Sequence, residues 1–143
     1  MLAILCLAAR MLHARGGAPL VAPLCDEWVP TLASHADSSA VTEALFDLAF
    51  HAQPCYSAAS LSCLMERCAG EMRSSSEASR LAAIKLLGVA LSSSAEKAAP
   101  ATETIEPLLR MLHALGRDDP SQSVRALAQQ LAYTAIGGAS AGA

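Results

Sequence analysis

A chain of 143 residues is about one domain's worth and long enough to bury a continuous core. Hydrophobic residues make up 53% of it but aromatics only 3%, so Ala and Leu carry the apolar content, and both favour stacked helices over sheets. The formal net charge of −3 argues against a general nucleic-acid surface, which needs a basic excess to displace counterions.

The chain opens on an apolar run, Leu2 to Ala9, with no positive charge ahead of it and Arg10 interrupting it. A secretory signal has its charge first and a longer core, and no apolar run approaches the ~20 residues needed to cross a bilayer. Arg10 and Arg15 with no acid in the first 25 residues is a balance shared with mitochondrial presequences. The preferred reading is a helix over 2–14, with Leu2, Leu5, Ala9 and Leu12 on one stripe and Ile4, Ala8 and Met11 beside it, stopped by Gly16-Gly17. It reads as the second helix of a hairpin whose first helix is missing, so that the chain begins in the middle of a helical stack. Leu2, Leu5 and Leu12 would then form a sticky interface.

A second helix is expected over 19–34, with Leu20, Val21, Leu24, Trp28, Val29 and Leu32 as its apolar set. Pro23 and Pro30 interrupt it, and each removes a hydrogen bond and bends the axis. His35 to Ala40 is a polar turn rich in N-cap residues, including Asp37. Beyond it, Val41, Ala44, Leu45, Leu48 and Ala49 form one stripe of a helix over 40–52, which Pro54 ends. A fourth helix, 57–73, places Leu61, Leu64, Met65 and Cys68 inward and Glu66, Arg67, Glu71 and Arg73 outward. Ser74-Ser75-Ser76 marks a turn before the fifth helix, 77–91, which is apolar around nearly its whole circumference and should be the most buried. Gly88 in its middle costs about 1 kcal/mol against Ala, which points to a close helix crossing.

Ser92 to Ala101 is the longest linker. The sixth helix starts near Thr102, with Glu103 and Glu106 in its first turn, where they complement the helix dipole. Ile105, Leu108, Leu109, Leu112 and Leu115 give its stripe, and Gly116 its stop. Asp119 is the expected N-cap of the seventh, with Pro120 at the first helical position and Gln122 in a capping-box-like place. Val124, Leu127, Ala128, Leu131 and Ala135 form its inner face, and 138–143 reads as a flexible tail.

Residues 105–128 thus form two amphipathic helices around a tight polar turn, with Pro107 in the first and Asp119-x4-Val124-Arg125 opening the second. This arrangement resembles a HEAT repeat, the helical hairpin of α-solenoids, with Pro30 equivalent to Pro107. Setting Val41-Thr42, Ser79-Arg80 and Val124-Arg125 side by side gives intervals of 38 (41 to 79) and 45 (79 to 124) residues, close to the ~40–47 residues of HEAT and armadillo units. The resemblance implies an all-α fold, a right-handed helical-hairpin repeat stack of about three hairpins (18–53, 55–93 and 101–137) after an orphan helix at 1–14. It also implies that Arg80, Asp119 and Arg125 belong to a hydrogen-bonded ladder between successive repeats. The match is full at Asp119 and Arg125 alone. The middle unit has Arg80 but Ser74 in the aspartate's place, and the first has Asp37 one residue late and Thr42 in place of arginine.

No set of side chains converges on a reaction in this sequence. The five cysteines form no C-x2-C knuckle and read as small buried residues of a reducing compartment. Cys25 sits beside Asp26 and Glu27, which dull it as a nucleophile. His13, His35, His51 and His113 are far apart in sequence, with no metal pair at helical spacing. Arg80, Lys85 and Arg125 offer a basic ridge on one reading and structural ladder positions plus a solvated tip on the other, and the second is preferred. Arg73 to Glu77 offers a phosphorylation loop, against the plain reading of serine caps. The expectation is therefore a non-enzymatic protein–protein interaction scaffold with no cofactor and no metal, a C-terminal or truncated segment of a larger HEAT-repeat protein. Its expected partners are proteins and neighbouring repeats, in the cytoplasm, with the nucleus as the alternative compartment, and away from membranes. The alternatives are a nucleic-acid-binding helical repeat and a mitochondrial helical protein with a cleaved N-terminus.

Overall fold

A computed structural model describes the backbone of residues 2–35, 38–53, 55–94 and 102–141, and the side chains of 2–35, 38–53, 55–92 and 105–134. Asp37, Pro54, most of the Ser92–Ala101 linker and the last two residues lie outside the described residues, as do the side chains of Glu103 and Ala135. Within the described residues the chain is all-helical, as its composition suggested: α1 (Leu2–Gly16), α2 (Ala18–Ala33), α3 (Ser39–Ala52), α4 (Ala58–Glu71), α5 (Glu77–Ser94), α6 (Thr102–Asp118) and α7 (Gln122–Ala141), with no strand. No helix there is long and apolar enough to cross a membrane.

The helix boundaries follow local chemistry. Gly17 separates α1 from α2 with φ 77, and no other described residue has a positive φ; that left-handed backbone suits a residue without Cβ. Pro19 then stands in the first turn of α2, where its missing N–H costs nothing. Serine hydroxyls cap four later helices: Ser38 accepts from the Val41 amide, Ser57 from Ser60, Ser76 from Ser79 and Ser121 from Val124. The cap of α7 is therefore Ser121 rather than Asp119, because the Asp119 carboxylate is engaged elsewhere, and Pro120 precedes the helix. Gly116 does not stop α6, which continues through it to Asp118. The residue instead marks a close crossing, since a Cβ there would come within 3.2 Å of Gln129 Cγ. Gly88 does not mark one, because a Cβ there would meet Leu131 at an ordinary 3.6 Å. Pro30 lies in the last turn of α2 and Pro107 in the second turn of α6, so the two prolines occupy different positions in their helices. Helix α7 runs on through Gly137 and Gly138 to Ala141, where a flexible tail was expected.

The helices pack in two layers. The odd-numbered helices lie side by side, α1 on α3, α3 on α5 and α5 on α7. The even-numbered helices form the second layer, with α2 close on α4 and α4 barely touching α6. Each even helix also packs on the odd helix that follows it, α2 on α3, α4 on α5 and α6 on α7. The core runs between the layers through Val21, Leu45, Leu48, Leu64, Leu87 and Leu112, all fully buried. Helix α5 contacts α3, α4 and α7 and buries Ala82, Ala83, Ile84, Leu86 and Leu87, in line with its apolar circumference.

Candidate interaction surface

Among the described residues, three polar contacts built on buried or half-buried side chains join the helix pairs. Asp26 of α2 accepts from the Ser57 amide at 2.8 Å and the Ser60 hydroxyl at 2.7 Å, so one pair helps to cap the first helix of the next. Arg67 of α4 lies against the α2–α3 turn. It donates to Thr42 Oγ1 at 3.1 Å, to the Ser38 carbonyl at 3.2 Å and to the carbonyls of Ala33 and His35, and it pairs with Glu71 at 2.8 Å. With side-chain exposures of 5% and 4%, Arg67 and Glu71 are interior residues, which corrects the outward placement expected from their charge. A buried ion pair persists when its remaining donors also find acceptors, and here they do.

The third contact joins Arg80 of α5 to Asp119 in the α6–α7 turn. Nε lies 2.8 Å from Oδ2, close but poorly aligned for a hydrogen bond, and Nη2 donates to Oδ1 at 3.2 Å. Asp119 Oδ1 also accepts from the Ser121 amide at 2.8 Å, and the Ser121 hydroxyl donates to Glu77 Oε1 at 2.9 Å. Arg80 and Asp119 are thus brought together across two helix pairs. Arg125 is not part of that contact: its Nη1 donates to the Asp119 carbonyl at 2.5 Å, inside its own pair. Arg80 does the same to the Ser74 carbonyl at 3.0 Å, so both arginines brace the turn six residues upstream. In the first pair, where Thr42 replaces arginine, Arg67 arrives from the next pair and takes up the turn's carbonyls. Because Arg80 is buried, Arg80, Lys85 and Arg125 form no shared exposed ridge. Lys85 is exposed and pairs with Glu43 of α3 at 3.3 Å.

The outward face of α1 differs from the one expected to be sticky. Leu5 is in the core, and Leu2 and Leu12 are half-buried against it, so the Leu2–Leu5–Leu12 stripe packs inward on α2 and α3. The stripe beside it faces out: Ile4 is 70% exposed, Leu7 56% and Met11 53%. Their spacing of three and four residues is that of a coiled-coil seam. Arg10 flanks the seam on the α3 side, where its Nη2 lies 3.1 Å from Asp47 Oδ2, and Arg15 stands exposed on the other side. At the far end of the odd-numbered layer, α7 exposes Ser123, Ala126, Gln130 and Thr134, with Tyr133 the exposed large side chain among them, while Gln129 reaches back to donate to the Gly116 carbonyl of α6 at 2.6 Å.

Shallow grooves run between neighbouring helices. One of about 480 Å³ lies between α2 and α4 and is lined by Pro30, His35, Cys63, Arg67 and Gly70. Another of about 380 Å³, between α1 and α3, is lined by Leu2, Cys6, Arg10, Phe46 and Asp47. His13 and His51, distant in sequence, meet beside it with ring centroids 5.3 Å apart. His51 Nδ1 sits 2.8 Å from the Asp47 carbonyl. Among the described residues no group of three or more His, Cys, Asp or Glu is arranged to hold a metal ion. Two thiols are muted: burial, aided by a hydrogen bond to Asp47, pushes Cys6 up to about 11, and burial pushes Cys68 far above the ordinary thiol range.

Sequence reasoning missed Arg67, Glu71 and the His13–His51 contact. A legible signal existed for the turns: Ser38, Ser76 and Ser121 recur at intervals of 38 (38 to 76) and 45 (76 to 121), in step with the second-helix openings. No family model matches this chain, and comparison with curated proteins and with solved structures gives no match.

Proposed function

We propose that this chain is a non-enzymatic protein-interaction scaffold, built as a right-handed HEAT-like stack of helical hairpins. Three features support the stack reading: the odd-with-odd helix packing with α2 on α4 in the second layer, the 38- and 45-residue recurrence of serine caps (38 to 76, 76 to 121) and the Arg80–Asp119 bridge between pairs. A two-layer stack of this kind gains stability from each neighbouring unit and presents its helix faces as surface.

The observation that carries the binding reading is the Ile4–Leu7–Met11 stripe, three exposed large apolar side chains in register on one face of α1. Contiguous exposed apolar surface in a folded chain marks sites of association. Affinity capture on the folded chain, followed by reconstitution with the purified candidate, tests the proposal. A stoichiometric protein complex that survives nuclease treatment is expected. Complexes that vanish with nuclease would move the reading to nucleic acid, and capture of no protein at all would defeat it.

A further inference from the structure

The geometry points to the outer face of α1 as a docking seam for a partner helix whose own apolar stripe is flanked by acidic residues. This inference rests on the scaffold reading and names the partner chemistry of one of its faces. Ile4, Leu7 and Met11 follow the alternating three- and four-residue spacing by which one helix inserts its side chains between those of another. Ala3, Ala8 and Ala14 lie beside them, and such small residues let a second backbone come close.

The flanks decide the partner's charge. Arg10 and Arg15 border the seam on opposite sides, and the first 25 residues contain no acid. Arg10 is held by Asp47, but Asp47 lies beneath it at 16% exposure while the arginine side chain is 63% exposed. An approaching helix therefore meets the cation. A second copy docking in parallel register would bring Arg10 of one α1 against Arg15 of the other, a like-charge contact across the seam. An acid-flanked helix meets complementary charge on both sides. At the opposite end of the layer, the described side chains of α7 expose Tyr133 and Ala126 among polar residues, with no run of large apolar side chains at that spacing.

The test uses the full chain and two synthetic three-heptad peptides with leucine at the seam positions, one flanked by glutamate and the other by lysine. Like charges keep each peptide from pairing with itself. Fluorescence anisotropy should show the glutamate peptide binding at least about tenfold tighter than the lysine peptide, with the preference shrinking as salt rises. Leu7→Glu and Met11→Glu should each weaken binding by about tenfold or more, and Arg15→Glu should narrow the preference severalfold. All three side chains are exposed, so unchanged circular dichroism certifies that the variants fold. Equal binding of both peptides, or binding indifferent to Leu7→Glu, would overturn the inference. A wild-type chain that sediments as a dimer, and as a monomer once Leu7→Glu is introduced, would assign the seam to a second copy and overturn it equally. The two readings separate cleanly. Captured proteins that bind Leu7→Glu as well as wild type would end the α1 inference and leave the scaffold reading standing.

Discussion

A buried guanidinium has to be satisfied from several directions at once, and Arg67 meets that demand with four oxygen acceptors and a carboxylate. Removing it strands Glu71 and the turn carbonyls, so Arg67→Ala should cost about 3–5 kcal/mol. Arg80→Ala strands Asp119 and should fall in the same range, about 3–5 kcal/mol. Arg125 makes a single turn contact, so Arg125→Ala should cost about 1–2 kcal/mol. Exposed Arg117 should give a change within ~0.5 kcal/mol. Urea unfolding of the four variants checks this order, and an Arg67→Ala no worse than Arg117→Ala would show that the buried network contributes nothing. Thiol chemistry supplies a second measurement. With a disulfide reagent near pH 8, exposed Cys55 should react first and fully buried Cys25 and Cys68 last. Cys6 is neutral in the fold up to about 11, against an ordinary 9.0. Its contribution to stability is therefore complete below pH 9.0 and lost as pH rises through about 11. The unfolding midpoint of wild type should fall over that window more steeply than that of Cys6→Ala. Arg67 itself was illegible in the sequence, since charge on an amphipathic helix is read as outward and nothing local marks a guanidinium that must turn in.

At the scale of helices, most of the architecture could be read from periodicity. The stripes Val41–Ala44–Leu45–Leu48–Ala49 and Leu61–Leu64–Met65–Cys68 are buried as their spacing required. Glycines were harder, because the same residue breaks a helix, spares a crossing or does neither, and only the neighbouring helix decides. Gly17 and Gly70 show the two extremes. Gly17 has φ 77 and ψ −165, a region that an L side chain enters at a cost of about 1–3 kcal/mol, so Gly17→Ala should destabilise by about that much. Gly70 is helical with open space where a Cβ would sit, so Gly70→Ala should stabilise by roughly 0.4–1 kcal/mol by restricting the unfolded chain. Opposite shifts in thermal midpoint are expected. Shifts of the same sign would mean that the α1–α2 junction relaxes to accept a side chain.

For the whole molecule, the packing is uneven along the stack. Helix α5 is held by α3 and α4, whereas the α6–α7 pair is joined to the rest chiefly through α5 on α7, because α4 scarcely reaches α6. The Arg80–Asp119 bridge and the Ser121–Glu77 hydrogen bond add polar ties to that α5–α7 contact. In a stack whose units touch only adjacent units, stability is close to a sum of unit and interface terms, and a weak interface lets the unit beyond it open separately. Amide hydrogen exchange followed by mass spectrometry should find α6 and α7 exchanging faster than α3, α4 and α5. Arg80→Ala should widen that difference by accelerating α6 and α7 while leaving α2 and α3 nearly unchanged. Exchange that is uniform along the chain, or that accelerates everywhere in Arg80→Ala, would mean that α1 to α7 open as one cooperative unit. The interface between α5 and α7 would then be as strong as the others despite its narrower contact.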